Sequence, residues 1–379
     1  MDPPDRDRPV RQNKHMARRP KNPQALDDEL GKVVEAARLF FHQRKTQAEI
    51  ARKMRVSQST VSRWLGRAER ERLVTVLIQP PEVERIQTRL LARLPPNFRK
   101  VKVVPSGLGK NVENVGDATA RLMIEAILDV QRSKLEANPD ARPTVSVAFS
   151  SGETLRRAAD GLVAWLRDDL SLQEQLVADL TFLPAAIFWD TEIKAYYPVT
   201  LVTTLWTQLS PVLKERVHAF APVLPKSYYD AALWRPENAA ARERALADSG
   251  ATEVLERARK ADVFVLGMGT LGDTTYPMVL DALKVENPER VWSGNERDTE
   301  FIYVPLKDTY KIGERVVRVG LDDLSAAALG TGSPHPRWCI GAGGGSSKCG
   351  AIAELLAADP PILNCIVTDS ACAEVFLAR

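Results

Sequence analysis

Ser57-Gln58-Ser59-Thr60-Val61-Ser62-Arg63 concentrates hydroxyls, an amide and a guanidinium in one short segment. Wound into a helix, it puts Gln58, Ser59, Ser62 and Arg63 on one face. Val61, Trp64, Leu65 and Ala68 recur at helical spacing on the other. Short polar and Arg side chains near a helix N-terminus are the kind that reach base edges in a major groove, provided the apolar back packs on a preceding helix. Just upstream, Thr46-Gln47-Ala48-Glu49 has the T-x-x-E form of a capping box, and Ser57 is a good N-cap. The candidate DNA contacts are Thr46, Gln47, Ser57, Gln58, Ser59, Thr60, Ser62 and Arg63. A helical hairpin with no such role needs the same apolar spacing but not this polar open face.

A second group of residues could hold a small polar ligand. Ser150-Ser151-Gly152-Glu153-Thr154 follows the apolar run Val145–Phe149. Gly267-Met268-Gly269-Thr270-Leu271-Gly272-Asp273 follows Asp262–Leu266. Gly341-Ala342-Gly343-Gly344-Gly345-Ser346-Ser347-Lys348 follows Trp338–Ile340. Each reads as a loop between a strand and a helix, where backbone N–H groups and small hydroxyls can hold an anion or a polyol. Glycine after a strand is often only a turn, so the signal lies in having three. None is a phosphate-binding P-loop or a dinucleotide fingerprint, and nucleotide binding is not expected.

The elements that must position these groups fall into two blocks. Residues 1–26 are rich in Pro, Arg, Lys and Asn without periodicity and read as a disordered arm. A helical pattern starts near Leu30, with Val33, Val34, Ala37, Leu39, Phe40 and Phe41, and breaks at Arg44-Lys45. The two short helices at 47–54 and 58–68 follow, then an apolar strand at Leu73–Ile78 closed by Pro80-Pro81. The spacing therefore predicts a helix-turn-helix domain over 27–80. An amphipathic helix through 81–96 reads either as a linker or as the first helix of the next domain. From 97 to 379 strands alternate with helices, which predicts a mostly parallel sheet covered on both faces. Ligands in such sheets sit beyond the carboxyl ends of the strands.

Charge supports the division. Residues 1–75 hold 18 Lys and Arg against 10 Asp and Glu, a balance of +8, while the whole chain of 379 residues carries +3. A basic head on an acidic body suits a polyanion-binding module joined to something else. No apolar run approaches the ~18–20 residues of a membrane span, and Met-Asp-Pro-Pro-Asp-Arg-Asp-Arg is no secretory signal. A cytoplasmic protein is expected. Cys339, Cys349, Cys365 and Cys372 have no C-x-x-C spacing and no histidine pair beside them. They read as small buried residues, and neither a metal nor a cofactor is expected.

The order of these pieces resembles the SorC, or sorbitol-operon regulator, family of bacterial transcription factors. The match rests on Gln47–Ala51 with Ser57–Leu65, on Ala261-Asp262-Val263 with Gly267-Met268-Gly269, on Gly344-Gly345-Ser346-Ser347-Lys348 with Ala351-Ile352, and on Leu363–Asp369 with Ala373. The resemblance implies an α/β chain: an N-terminal winged helix-turn-helix and a Rossmann-like effector domain similar to sugar-phosphate isomerases. It implies a homodimer or homotetramer on operator DNA of a carbohydrate-utilisation operon, controlled by a sugar or sugar phosphate, with no membrane partner and no catalysis. By motif, Gly152, Glu153 and Thr154 fall at the family's phosphate-side loop and Lys348 at its ligand lysine. Glu300 falls at its acidic position. The expected effector site is Ser150, Ser151, Gly152, Glu153, Thr154, Gly267, Gly269, Thr270, Asp273, Glu300 and Lys348.

Two departures bear on the ligand. Glu153 puts a carboxylate where phosphate is expected, and like charge disfavours an anion. The family's G-A-V-G-[DE] element is missing between Asp273 and Thr299. An unphosphorylated sugar or another polar metabolite stays open as the effector. An isomerase- or deaminase-like enzyme fused to a DNA-binding domain is the alternative. It would draw its acid and base from Glu153, Asp273 and Glu300, since no histidine lies in the three loops.

Overall fold

The computed structural model describes residues 23–43, 45–70, 73–74, 81–107, 111–187, 197–224, 228, 233, 236–270, 299–301, 304–305 and 316–379. The chain divides into two compact units between Ile78 and Gln79.

Among the described residues, three α-helices make the first unit. α1 (Pro23–Ala37) runs into a wider π-type turn at Arg38–His42, and α2 (Gln47–Met54) and α3 (Gln58–Arg70) follow. α1 begins well ahead of Leu30, inside the stretch read as an arm. Pro23 at the first helical position is the local reason, because its fixed φ suits a helix start. Val33, Ala36, Leu39, Ile50, Ala51, Val61, Trp64, Leu65 and Ala68 form one buried cluster, whereas Val34 is exposed. Ala51 is small where α2 meets α3. The strand expected at 73–78 falls mostly outside the described residues.

The second unit opens with α4 (Pro81–Arg93), which packs on the last helix and first strand of this same unit. Its sheet strands are β1 (Lys100–Val104), β2 (Thr144–Phe149), β3 (Asp179–Pro184), β5 (Val217–Ala219), β6 (Val263–Thr270), β10 (Trp338–Ala342) and β11 (Cys365–Asp369). They lie in the order β1-β11-β10-β6-β2-β3-β5, all parallel. β7 (Thr299–Phe301) pairs antiparallel with the far end of β6, and β8 (Val304–Pro305) pairs with β7. β4 (Ala186–Ile187) and β9 (Val317–Arg318) form a separate antiparallel pair.

The helices are α5 (Asn111–Ala137), α6 (Glu153–Asp168), α7 (Leu170–Gln175), α8 (Pro198–Leu213), α9 (Ala239–Asp248), α10 (Ala251–Arg259), α11 (Leu321–Ala328), α12 (Cys349–Leu356) and α13 (Ser370–Ala378). Phe264 and Leu266 bury on one face of the sheet, and Val263 and Val265 on the other. A strand buried on both faces reads as one continuous apolar run, which is what the sequence shows.

The glycine run at 267–273 is not a loop as far as it is described. Gly267 to Thr270 continue β6: Gly267 pairs with Ala342, and Met268, Gly269 and Thr270 pair with Phe301, Glu300 and Thr299. Pairing with β7, remote in sequence, overrides the local turn preference of glycine.

Candidate functional site

The polar face of α3 is built by local bonds. Thr46 Oγ1 accepts from the Glu49 N–H at 3.3 Å, and Glu49 Oε2 accepts from the Thr46 N–H at 2.7 Å, closing the capping box. The Thr46 hydroxyl also donates to Glu49 Oε2 at 2.7 Å, and this bond, with that from the Thr46 N–H, holds the Glu49 carboxyl below its ordinary pKa. Arg55 ends α2 in the left-handed region, at φ 55° and ψ 46°. This turn sets the start of α3, where Ser57 Oγ accepts from the Thr60 N–H at 3.1 Å. Ser57, Gln58, Ser59, Ser62 and Arg63 are exposed, and Thr60 is half-buried. Arg63 donates to Thr60 Oγ1 at 3.3 Å. Thr46 is exposed and Gln47 half-buried at the start of α2. Six of the eight predicted contact residues thus lie at the N-cap and first turns of α3, two at the start of α2, and Thr46 and Ser57 also act as caps.

In the second unit, the chain passes β2 to β3 to β5 in one direction and β6 to β10 to β11 in the other. The order reverses between β2 and β6, where open α/β sheets form a ligand crevice. Ser150 is buried there, and its Oγ accepts from the Gly267 N–H at 2.8 Å. A side chain at 267 would run into the Ser151 carbonyl oxygen. Gly152 takes φ +134°, a conformation open to glycine, and α6 starts at once. Gly116 and Gly161 let α5 and α6 approach closely: a Cβ at 116 would lie 2.5 Å from Arg157 Cβ, and one at 161 would lie 2.9 Å from Ala120 Cβ. That packing fixes the α6 N-terminus beside the strand ends.

Glu153 and Thr154 open α6, whose first N–H groups have no intrahelical acceptor. Glu153 does not leave this loop with a bare negative charge. Arg156 donates to both its oxygens, at 2.9 and 2.5 Å, and Arg157 lies 3.8 Å away. The Arg156 hydrogen bonds lead in holding the Glu153 carboxyl below its ordinary pKa, and the same pairing raises that of Arg156. Arg156 is also bonded to Asp160 at 3.0 Å, and Arg157 lies 3.7 Å from Glu113, so the two guanidiniums are shared among three carboxylates and the departure seen in the sequence stands.

The loop at 343–348 is anchored from below. Gly343 faces Met268, and Gly344 leaves no room for a Cβ beside Asp369. The buried Asp369 accepts from the Gly345 N–H at 2.6 Å with one oxygen and from the Cys372 N–H at 2.9 Å with the other. Ser106, after β1, joins the Ser370 hydroxyl at 2.8 Å. Ser346 and Ser347 are exposed, and Lys348 is half-buried at the start of α12. The ends of β1, β11, β10, β6 and β2 are thus tied into one rim.

The expected residues are distributed unevenly on that rim. Ser150 and Ser151 meet Gly267, Gly152, Glu153 and Thr154 carry that loop into α6, and Lys348 closes the neighbouring loop. Gly269 and Thr270 lie in β6 and not in a loop, and the backbone sets Glu300 opposite Gly269. Asp273 lies outside the described residues. Asp369 was missed. Its signal was Thr368-Asp369-Ser370, an N-cap residue directly after an apolar strand. Cys349 and Cys372, expected as separate buried residues, are joined in a disulfide. Their partners are remote in sequence, so no local spacing announces the pair.

Residues 34–77 match a helix-turn-helix domain family. No curated protein matches the chain. Among solved structures, the full-length sorbitol operon regulator SorC from Klebsiella pneumoniae is similar at 18% identity and a TM-score of 0.55, over 92% of this chain and 99% of that one. A probable sor operon regulator from Shigella flexneri is similar at 16% identity and a TM-score of 0.50, over 78% of this chain and 99% of that one. The likeness is one of fold: this chain is a helix-turn-helix unit followed in sequence by a mixed α/β unit on a seven-stranded parallel sheet, a fold like that of the sorbitol operon regulator.

Proposed function

We propose that the chain is a cytoplasmic DNA-binding transcriptional regulator of the SorC family, acting on a carbohydrate-utilisation operon under control of a sugar or sugar-phosphate effector. The observation that carries the reading is the rim at the reversal of strand order, built from Ser150, Gly152, Gly267 and the 343–348 loop, in a chain that also holds a helix-turn-helix. The likeness in fold to a sorbitol operon regulator and to a probable sor operon regulator supports it. Arg156 and Arg157 are already shared among Glu153, Asp160 and Glu113, and exposed Ser346 and Ser347 suit the hydroxyls of a sugar.

The unit acts as a sensor and not as an enzyme. Glu153, one of the three carboxylates expected as acid or base, is held ionised first by Arg156, and a carboxylate with a depressed pKa is a weak base at neutral pH. One helix-turn-helix makes few base contacts, so two or four copies read repeated half-sites.

A thermal-shift screen of sugars and sugar phosphates on the full chain is the test. A ligand at ~100 times its dissociation constant adds roughly 2.7 kcal/mol to the native state. DNA selected from a random pool should then bind differently with and without that ligand. Absence of any stabilising sugar, or selected DNA with no sequence preference, overturns the reading.

A further inference from the structure

Cys349 opens α12 directly after the glycine loop, and Cys372 lies in the first turn of α13. They are joined in a disulfide across 23 residues of chain. Each sulfur lies 3.5 Å from the same acceptor, the Gly345 carbonyl oxygen. That oxygen can accept S–H groups when the pair is reduced and loses both donors when it is oxidised. The same packing therefore admits both states, and the loop feels which one is present. Gly345 takes φ +102°, and its N–H is held by Asp369, which also caps the helix carrying Cys372.

Cys339 and Cys365 are a built-in contrast. Both are unbonded and buried, and burial pushes the Cys339 thiol up to about 12 and the Cys365 thiol up further. Such thiols are inert, whereas helix N-termini favour the reactive thiolate. Cys349, Asp369 and Cys372 also lie within 4.8 Å of one another, a spacing that fits a cation. Both Asp369 oxygens are already taken by backbone N–H groups, however, and a disulfide offers no thiolate.

We propose that Cys349 and Cys372 are a reversible dithiol–disulfide pair that sets the 343–348 loop, so that a peroxide or a dithiol reductant changes the effector site. This rests on reading that loop as part of an effector site in a cytoplasmic protein, where disulfides are transient and redox-sensing. Cys349 is the attacking residue, since it is 5% exposed and Cys372 is 0%. Its thiolate attacks one oxygen of hydrogen peroxide, the O–O bond breaks, and a sulfenic acid and one water form. The Cys372 thiolate attacks the sulfenic sulfur, the S–O bond breaks, and the second oxygen leaves as water. Two thiols lose two electrons and two protons, and the peroxide takes both to become two waters. A dithiol reductant reverses the step by thiolate attack and ends as its own disulfide.

The test uses the full chain, reduced with dithiothreitol and then divided, one half receiving hydrogen peroxide. Alkylation and mass spectrometry should find a Cys349–Cys372 peptide in the oxidised half only, with Cys339 and Cys365 unmodified until the chain is unfolded. Amides of 343–348 should exchange at least tenfold more slowly in the oxidised half. Cys372→Ser should abolish both differences. No Cys349–Cys372 peptide, or equal exchange in the two states of wild type, overturns the proposal. So does a stoichiometric zinc ion on the reduced chain that blocks oxidation. None of these readouts needs an effector or DNA, so failure of the sugar screen leaves the dithiol chemistry separately testable.

Discussion

The Gly267 N–H donates to Ser150 Oγ over 2.8 Å, and this bond joins the two strands between which the sheet reverses its order. It closes the floor of the proposed site with backbone on one side and a buried hydroxyl on the other. Any side chain at 267 meets the Ser151 carbonyl, which is backbone and cannot swing aside. Gly267→Ala should therefore cost ~1–3 kcal/mol, as overpacking does. Ser150→Ala adds no bulk and should cost about 1 kcal/mol for the lost bond. Urea midpoints of the two variants check this. Equal losses would mean that the close approach at 267 is not what selects glycine.

Arg63 stands exposed on α3 and donates to Thr60 Oγ1. Arginine commonly reads guanine in the major groove. Arg63→Ala should weaken binding to selected DNA by ~1–3 kcal/mol and relax discrimination at one base pair. Titrations at fixed salt against selected and random DNA decide it. If both lose affinity equally, Arg63 holds a phosphate.

Arg55 sits in the left-handed region at a turn where glycine carries no steric cost. A non-glycine residue there costs ~1–2 kcal/mol, part of which glycine returns as unfolded-state entropy. Arg55→Gly should stabilise the first unit by about 0.5–1 kcal/mol. Slower exchange at the Ile50 and Val61 amides in the full chain is the readout. Faster exchange would show that the Arg55 side chain contributes more than its backbone costs.

What the sequence disclosed was what short-range physics decides. The Thr46–Glu49 box, the Ser57 cap and the Val61–Trp64–Leu65–Ala68 stripe all lie within one or two helical turns, and the structure forms them as read. Strands buried on both faces were legible as unbroken apolar runs. The far half of β6 was not, because its glycines gain a strand partner only from residues 299–301. Cys349 with Cys372, and Asp369 with Gly345, were hidden for the same reason. Each is a contact between consecutive strand–loop–helix segments that has no signature within either. The start of α1 was legible and overlooked, since Pro23 is a helix-start residue amid a stretch whose composition suggested disorder.

Glu153 supplies a pH dependence with a defined sign. Its folded pKa lies below the ordinary 4.5, first because Arg156 donates to it. The ionised pair therefore contributes stability above the unfolded pKa, and that contribution is lost as pH falls from about 4.5 through the lowered value. The pair is half exposed, so solvent screening keeps its contribution to under about 1 kcal/mol. Glu153→Gln should flatten the acid limb of stability near α6 without changing the neutral plateau by more than this. Amide exchange of residues 155–160 between pH 3 and 6 checks it, and an unchanged acid limb would sink the assignment.

Lys348 offers the sharpest separation of sensing from DNA binding. It stands at the N-cap of α12, where the positive end of the helix dipole disfavours a cation by roughly a few tenths of a kcal/mol. Backbone hydrogen bonds hold the position: its N–H donates to the Gly345 carbonyl, and its carbonyl accepts from the Ile352 N–H, both at 2.9 Å. Truncation should thus leave the turn intact. Of the glycines before it, Gly343 and Gly344 are closed off by Met268 and Asp369, while Gly345 has open space where a side chain would stand. A ligand can approach the backbone there, and the Lys348 ammonium can donate to a ligand oxygen. Lys348→Ala should keep folding and affinity for selected DNA nearly unchanged while abolishing the shift in that affinity caused by the sugar found in the screen. The same DNA titration, with and without that sugar, is run on wild type and variant. A ligand response in the variant equal to that of wild type would place Lys348 outside the pocket and leave Ser150, Gly152 and the α6 N-terminus to hold the effector.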